Sequence, residues 1–203
     1  MRLPAKAGLH DEIVRVSIQL GSELGEDGLT MRAIAARLGV SATALYQHFE
    51  SKAAILREIR LHGVDTLLTA MAPATEMSDA EGRLREIAGR YTEFALNNPW
   101  LYKVLFQGEE VDWSSLEEDE RDLLMAPLHQ ARSAFEIGVR SGVFRADVDV
   151  DNTALLFWAS LHGLASLMIN GRISEGHPVF PVPDRDDFVR GFIGGLVRAV
   201  RAS

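Results

Sequence analysis

Side chains suited to contacts with a DNA duplex cluster in one short segment near the N-terminus. The residues concerned are Ser41, Ala42, Thr43, Tyr46, Gln47, His48 and Lys52. Thr43 offers a hydroxyl to either base partner and a methyl group to thymine, and Gln47, one helical turn later, can make two hydrogen bonds to adenine. The phenol of Tyr46, the imidazole of His48 and the ammonium group of Lys52 can bind phosphate oxygens. The segment therefore predicts a helix that reads base edges in the major groove.

Two short helices are predicted to position these residues. Apolar spacing predicts one helix over 31–38 and a second over 41–47, joined by a tight turn at Gly39. Thr30 and Ser41 are the expected N-caps, and the apolar wedge between the helices is Ile34, Leu38, Val40 and Leu45. This is the helix-turn-helix pattern, and a generic helical hairpin is its alternative. Thr30 and Arg32 are expected to hold the backbone of the other DNA strand.

Some of these assignments have structural alternatives. Tyr46 can instead anchor the second helix on its own domain, and His48 can be a structural histidine. Arg2 and Lys6 form either a tail or an arm that reaches a groove.

The chain as a whole predicts an all-α protein of about nine helices. Residues expected to open the later helices are Ser51, Ser78, Asn98 with Pro99, Ser115, Asp151 and Asp184, and glycines are expected to close others at Gly25, Gly28 and Gly142. No run alternates as a strand would, and the proline-rich segment 178–183 is predicted to be a loop.

Composition and motifs exclude several functions. The chain has no cysteine, which removes disulfide frameworks, thiolate zinc sites and cysteine nucleophiles. HExxH, GxSxG, P-loop and paired-histidine spacings are absent from the sequence, so we expect no catalytic residue, no metal and no cofactor. The net charge of −8 is uneven, because residues 1–63 carry +1 and the remainder −9. A DNA interface therefore rests on local pattern rather than on bulk charge.

One string carries a family resemblance. Val40-Ser41-x-x-x-Leu45-Tyr46-x-His48-Phe49-x-x-Lys52-x-x-Ile55-Leu56, preceded by Ile34-Ala35-x-x-Leu38-Gly39, resembles the signature of the tetracycline-repressor (TetR) family. The match covers residues 10–62, and Trp158-x-x-x-His162-Gly163 resembles a subset of that family. Many members carry a smaller residue where Thr43 stands.

The resemblance implies a DNA-binding domain over residues 1–52 and a ligand-binding and dimerisation domain over 53–203. It implies a dimer that binds a double-stranded DNA operator and a pocket for a small-molecule effector. Aromatic residues of the C-terminal part are candidates for that pocket, with one histidine to orient the effector: Phe94, Trp100, Phe106, Phe135, Trp158 and His162. The alternative for each aromatic is ordinary core packing.

The last two helices are predicted to form a homodimer. The stretch 154–169 is apolar nearly all round, and the final helix adds Phe188, Phe192, Ile193, Leu196 and Val197. A two-fold four-helix interface would hold two recognition helices about 34 Å apart, as a palindromic operator requires. The stretch is shorter than the roughly 20 residues that cross a bilayer, and no signal peptide is evident, so we expect no membrane partner and a cytoplasmic protein. The acidic run 109–122 is either a solvated loop or the entrance for a cationic ligand.

The sequence thus favours a ligand-responsive transcriptional repressor, released from a palindromic operator by a small apolar molecule. A transcriptional activator of the same fold is one alternative. A helical small-molecule binding protein or enzyme with a vestigial helix-turn-helix is the other.

Overall fold

The computed structural model describes residues 8–107 and 112–202, and within them the chain is helical without a strand. The prediction of an all-α fold of about nine helices is confirmed. The helices are α1 (Leu9–Gly28), α2 (Met31–Leu38), α3 (Ala42–Tyr46), α4 (Lys52–Thr75), α5 (Ala80–Asn97), α6 (Pro99–Phe106), α7 (Glu118–Arg140), α8 (Val150–Ile169) and α9 (Arg185–Arg198). Arg2, Lys6 and part of the acidic run 109–122 lie outside the described residues.

The chain divides into two compact units. Of the described residues, the first contains those from Gly8 to Gly63 together with 98–107 and Asp112, and therefore combines α1–α3, the first half of α4 and all of α6. Its core consists of fully buried aliphatic side chains, among them Ile13, Leu29, Ile34, Leu45 and Ile55. Gly25 interrupts α1 with a φ of 72°, a conformation that glycine adopts without the steric cost of a side chain.

The second unit is built around α5. It contains residues 64–97 and 113–203, and α7, α8 and α9 all pack against α5. The buried faces supply Leu84, Phe135, Phe157, Leu161 and Val197 to one core. The polypeptide after α9 is held by backbone hydrogen bonds, because Arg145 N–H donates to the Val200 carbonyl and Ala202 N–H to the Val143 carbonyl, both at 3.0 Å.

Several predicted helix starts are wrong by one or two residues. Asp79, not Ser78, caps α5 by accepting from the amide of Gly82 at 2.8 Å, and Asp149, not Asp151, caps α8. The box that opens α7 pairs Glu117 with Glu120 rather than Ser115 with Glu118. At α5 and α7 a carboxylate takes the place of the predicted hydroxyl, because it accepts more strongly and interacts favourably with the positive helix N-terminus. At α8 both candidates are carboxylates, and the helix begins two residues earlier than predicted. Asn98 precedes Pro99 as predicted, but its side chain makes no capping hydrogen bond.

Helix α8 is longer than its apolar stretch alone suggested. It spans 20 residues, and by length and hydropathy alone it is the one helix of the described chain that could cross a membrane. Only 28% of its apolar window is buried within the chain. The exposed remainder includes Leu155 and Leu156, which are 50% and 59% exposed.

Candidate functional site

Helices α2 and α3 form the predicted helix-turn-helix. The Thr30 hydroxyl accepts from the Ala33 amide and the Ser41 hydroxyl from the Ala44 amide, each at 3.1 Å, so both helices start at their predicted caps. Gly39 ends α2 with a φ of 70°, the left-handed conformation expected of a helix C-cap. Because Ile34 and Leu45 are fully buried between the helices, the opposite face of α3 points away from the core.

That opposite face carries the residues predicted to contact DNA. Thr30 and Arg32 are exposed at the start of α2, and six further residues are exposed on or beside α3, namely Ser41, Ala42, Thr43, Tyr46, Gln47 and His48. Tyr46 is 54% exposed, so more than half of its side-chain surface is free for a partner. Gln47 stands immediately after α3 as its C-cap, not inside the helix, and it keeps a helical backbone conformation. The structure therefore exposes base-reading and phosphate-binding groups on α3, directly beside α3 and at the start of α2.

Lys52 differs from the other predicted contacts, because its ammonium group already has a partner within the chain. The Lys52 side chain is half-buried, and its Nζ donates to the Glu26 carbonyl at 2.8 Å. This bond joins the end of α1 to the first residue of α4. An ammonium group has three N–H donors, so a phosphate oxygen can still be bound beside the carbonyl.

A second basic residue of this unit, Arg37, is paired with an acidic one. Its Nη2 lies 2.8 Å from Oε2 of Glu23, and the hydrogen bond from Arg37 lowers the pKa of the Glu23 carboxyl. The positive charge of Arg37 is thereby largely offset, whereas Arg32 is exposed at the start of the same helix. The electrostatic attraction of this surface for DNA therefore depends on few side chains.

Helix α6 belongs to the same unit as the DNA-reading helices, a placement that the sequence did not predict. Trp100 packs directly over Gly21 of α1, and the Nε of Arg60 donates to the Val104 carbonyl at 3.4 Å. Phe106 packs against Tyr102, with ring centroids 5.0 Å apart. Two of the six predicted effector residues, Trp100 and Phe106, thus lie in the first unit. The nearest signal in the sequence was Gly21, because a glycine inside a long helix often marks a place where another element packs close to the backbone.

The other four predicted effector residues lie in the second unit. Phe94 and Phe135 are only 4% and 1% exposed, and Phe135 packs against Phe144 and Phe157 with ring centroids 5.9 and 5.5 Å apart. Trp158 and His162 stack at 5.5 Å on successive turns of α8, and both are half-buried. Burial lowers the pKa of His162, which favours the neutral imidazole. Among the described residues, no cluster of three or more histidine, aspartate or glutamate side chains is arranged to hold a metal ion.

An apolar groove opens elsewhere in the second unit, beside the loop between α8 and α9. Its volume is about 800 Å³, and its walls include Leu167, Ile173, Val182 and Phe188. None of the six predicted effector residues lines this groove. Sequence reasoning missed Val179 and Phe180 at its rim, although two apolar residues between prolines in an otherwise polar loop were a usable signal.

Comparison with known proteins identifies both parts of the chain. Residues 13–59 match the family of bacterial regulatory proteins of the tetR type, and residues 84–193 match the tetracyclin repressor-like C-terminal domain. An HTH-type transcriptional regulator of Mycobacterium tuberculosis is 23% identical over 85% of this chain and 75% of its own length. The HTH-type transcriptional repressor KstR2 of Rhodococcus jostii is 28% identical over 72% of each chain.

The fold is shared with solved structures. A protein from Rhodococcus sp. RHA1 superposes over 100% of both chains with a TM-score of 0.82 at 23% sequence identity. At that identity the likeness establishes the fold alone.

Proposed function

Because the chain belongs to the TetR family of transcriptional regulators, we propose that it represses transcription by binding a palindromic operator as a homodimer. The observation that carries this proposal is the exposed face of α3, where Thr43, Tyr46 and Gln47 project from a helix whose other side is anchored by the buried Leu45. We further propose that a small apolar molecule releases the protein from DNA and that it acts in the cytoplasm.

The assignment of individual DNA contacts follows from side-chain chemistry. Thr43 and Gln47 are proposed to read base edges, with Ala42 against a thymine methyl group. Thr30, Arg32, Ser41, Tyr46, His48 and Lys52 are proposed to bind phosphate oxygens. A phosphate can also approach the free amide groups at the start of α3, which are oriented by the Ser41 cap.

Dimerisation through α8 and α9 is supported by the exposed apolar surface of both helices. Leu155, Leu156 and Leu167 of α8 and Phe188 of α9 are between 39% and 59% exposed. A soluble protein rarely leaves such a surface open to water unless another protein covers it. A two-fold axis between two copies would place the two α3 helices about 34 Å apart, on one face of B-DNA.

The effector is proposed to bind in the second unit. Trp158 and His162, which stack on each other and are half-buried, supply apolar and stacking surface, with the neutral imidazole as the polar group that orients a ligand. Phe94 and Phe135 remain proposed effector residues, although both are buried. Trp100 and Phe106, the other two predicted effector residues, lie in the first unit and stay a separate prediction. An effector can release DNA only by binding more tightly to a conformation whose recognition helices are wrongly spaced.

Selection of bound sequences from random duplex DNA tests the proposal. We expect a palindromic site whose binding weakens with salt, and repression of a reporter that carries this site upstream. Tyr46→Ala is expected to abolish operator binding while the chain stays a folded dimer. Gln47→Ala should cost about 1–3 kcal/mol and relax specificity at one base pair of each half-site.

Gln19→Ala is the matched control, because Gln19 is an exposed glutamine of α1 in the same unit. It should leave both affinity and specificity unchanged. Absence of any sequence-selective binding in the selection would refute the proposed function, and activation of the reporter would make the protein an activator. Turnover of a bound small molecule without any operator would favour the enzyme alternative.

A further inference from the structure

The loop between α8 and α9, residues 170–184, is folded by its own hydrogen bonds. Val182 N–H donates to the Ser174 carbonyl at 3.0 Å, which closes the base of the loop. At its tip the Nδ1 of His177 accepts from the amides of Val179 and Phe180 at 3.2 and 2.9 Å. The His177 ring also stacks on Phe180, with centroids 5.7 Å apart. The conformation of the tip is therefore specified within the chain.

This ordered tip presents two adjacent apolar side chains to solvent. Val179 is 67% exposed and Phe180 63% exposed, and we call this pair the knob. Holding both outward leaves apolar area in water, which is unfavourable relative to burial. A prearranged, exposed apolar pair lowers the entropy lost on association, which is the property of an interface anchor.

The knob forms part of the wall of the apolar groove beside this loop. The other side chains of that wall include Leu167 of α8 and Phe188 of α9, which are 44% and 39% exposed. The exposed apolar side of α8 continues from Leu167 back to Leu156 and Leu155. Residues 152–171 contain no aspartate, glutamate, lysine or arginine, so no charge interrupts this strip.

Charged residues of both signs surround the apolar surface. The exposed side chains near the groove are Arg172, Glu175, Asp184, Arg185 and Asp186. A surface of mixed sign can pair with itself across a two-fold axis, where a residue of one copy meets a different residue of the other. Knob, groove and charges thus lie on one surface, as an isologous interface requires.

We infer that the α8–α9 loop is a dimerisation arm, whose knob packs into the groove of a second copy of this chain against Leu167 and Phe188. The arrangement is reciprocal, so each copy supplies one knob and one groove, and it extends the interface of α8 and α9. The inference rests on the homodimer of the proposed function and names a further set of contacts for it.

Charge substitution at the knob tests the arm in the full-length chain. Val179→Asp and Phe180→Asp should each raise the dimer dissociation constant at least about tenfold in sedimentation velocity, with helical circular dichroism unchanged. Val143→Asp is the matched control, because Val143 is a 36% exposed valine of the same unit outside this surface, and it should leave the dimer unchanged. Leu156→Asp reports separately on the α8 face.

Crosslinking between labelled copies gives a second readout that does not depend on how the aspartate variants fold. A chain with a photoreactive benzoylphenylalanine in place of Phe180 is mixed with 15N-labelled wild type and irradiated. We expect crosslinks from position 180 to 15N-labelled peptides that contain Leu167 or Phe188. Crosslinks only within one chain, or capture of a small molecule in place of a second copy, overturn the arm.

The outcomes separate this inference from the function on which it rests. A wild-type protein that is monomeric at every concentration refutes the dimer and the arm together. A dimer that is weakened by Leu156→Asp but not by either knob variant refutes the arm and leaves the DNA-binding dimer intact. Crosslinks between copies without selective DNA binding refute the proposed function alone.

Discussion

The indole of Trp100 lies so close to the backbone of Gly21 that a Cβ added to the glycine would meet the ring carbon Cζ2 at 2.1 Å. Gly63 of α4 provides a second close approach, because a Cβ there would lie 2.4 Å from Cδ1 of Leu105. Helix α6 is thus held between glycines of α1 and α4, within the unit that contains α2 and α3. A change in the position of α6 therefore acts on α1, which in turn packs against α2.

Gly21→Ala should destabilise the protein by about 1–3 kcal/mol, because the added methyl group must displace the Trp100 ring. In a helix interior without such a contact, replacing glycine by alanine stabilises the helix by about 1 kcal/mol. A loss of stability at Gly21 would therefore show that the contact with Trp100 outweighs this gain. The free energy of unfolding in urea measures it. Gly89→Ala in α5 is the control: no atom lies within 4 Å of its added Cβ, and we expect a gain of up to about 1 kcal/mol. Equal gains for both variants would contradict the close packing of Trp100.

Lys52→Gln should change both stability and DNA binding. Loss of the 2.8 Å bond to the Glu26 carbonyl removes a link between α1 and α4, and we expect about 1 kcal/mol less stability. If Nζ also binds phosphate, the slope of log affinity against log salt should fall by about one. Unfolding and salt titration of operator binding measure the two effects separately. A stability loss with an unchanged salt slope would remove Lys52 from the proposed DNA contacts and leave it as a structural tie.

Arg201→Ala should loosen the C-terminal end of the chain. The Arg201 guanidinium donates to both carboxylate oxygens of Glu81, with Nη2 at 2.7 Å from Oε2. Because Arg201 is 55% exposed, solvent screening keeps the expected loss of stability small. Arg190→Ala removes a more exposed pair with Asp187 and should have no measurable effect. Similar losses of stability in Arg201→Ala and Arg190→Ala would show that the ion pair with Glu81 stabilises the fold no more than an ordinary surface pair.

The ion pair between Glu81 and Arg201 should also make the stability of the fold depend on pH in the acidic range. The hydrogen bond from Arg201 lowers the pKa of Glu81 in the folded chain, so folding favours the carboxylate. Its contribution is fully present above the unfolded pKa of about 4.3 and is lost as the pH falls through the folded value. Unfolding measured from pH 7 down to pH 3 should show this loss in the wild type and a smaller loss in Arg201→Ala. Parallel pH profiles would contradict the assignment.

His162 should make the stability of the fold depend on pH in a second range, closer to neutral pH. Burial lowers its pKa in the folded chain, so the unfolded chain binds the proton more readily. Stability from this group is present above the unfolded pKa of about 6.5 and declines as the pH falls below it. His162→Phe keeps an aromatic ring beside Trp158 and removes the titration, so its stability should vary less between pH 7 and 5. An equal decline in the variant would assign the pH dependence to other groups.

Local signals predicted most of the first unit correctly. Thr30, Gly39 and Ser41 have the structural roles expected of them, because capping and a left-handed C-cap depend on hydrogen bonds within a few residues. The exposure of Thr43 and Gln47 followed from the same spacing that buries Leu45. The helix starts that were misplaced involve neighbouring groups that compete for the same amides, and the sequence does not rank them. Asp79 beside Ser78 is the clearest case.

The sequence by itself determined the helical fold, the helix-turn-helix and the family, because these depend on short-range periodicity and on one contiguous motif. Only the tertiary structure decided that α6 joins the unit of the DNA-reading helices, that Phe135 is buried, and that Val179 and Phe180 stand exposed in the wall of an apolar groove. These outcomes depend on contacts between residues far apart in the chain, such as Gly21 with Trp100 and Glu81 with Arg201. Such contacts are set by the packing of several helices at once, which no local pattern encodes.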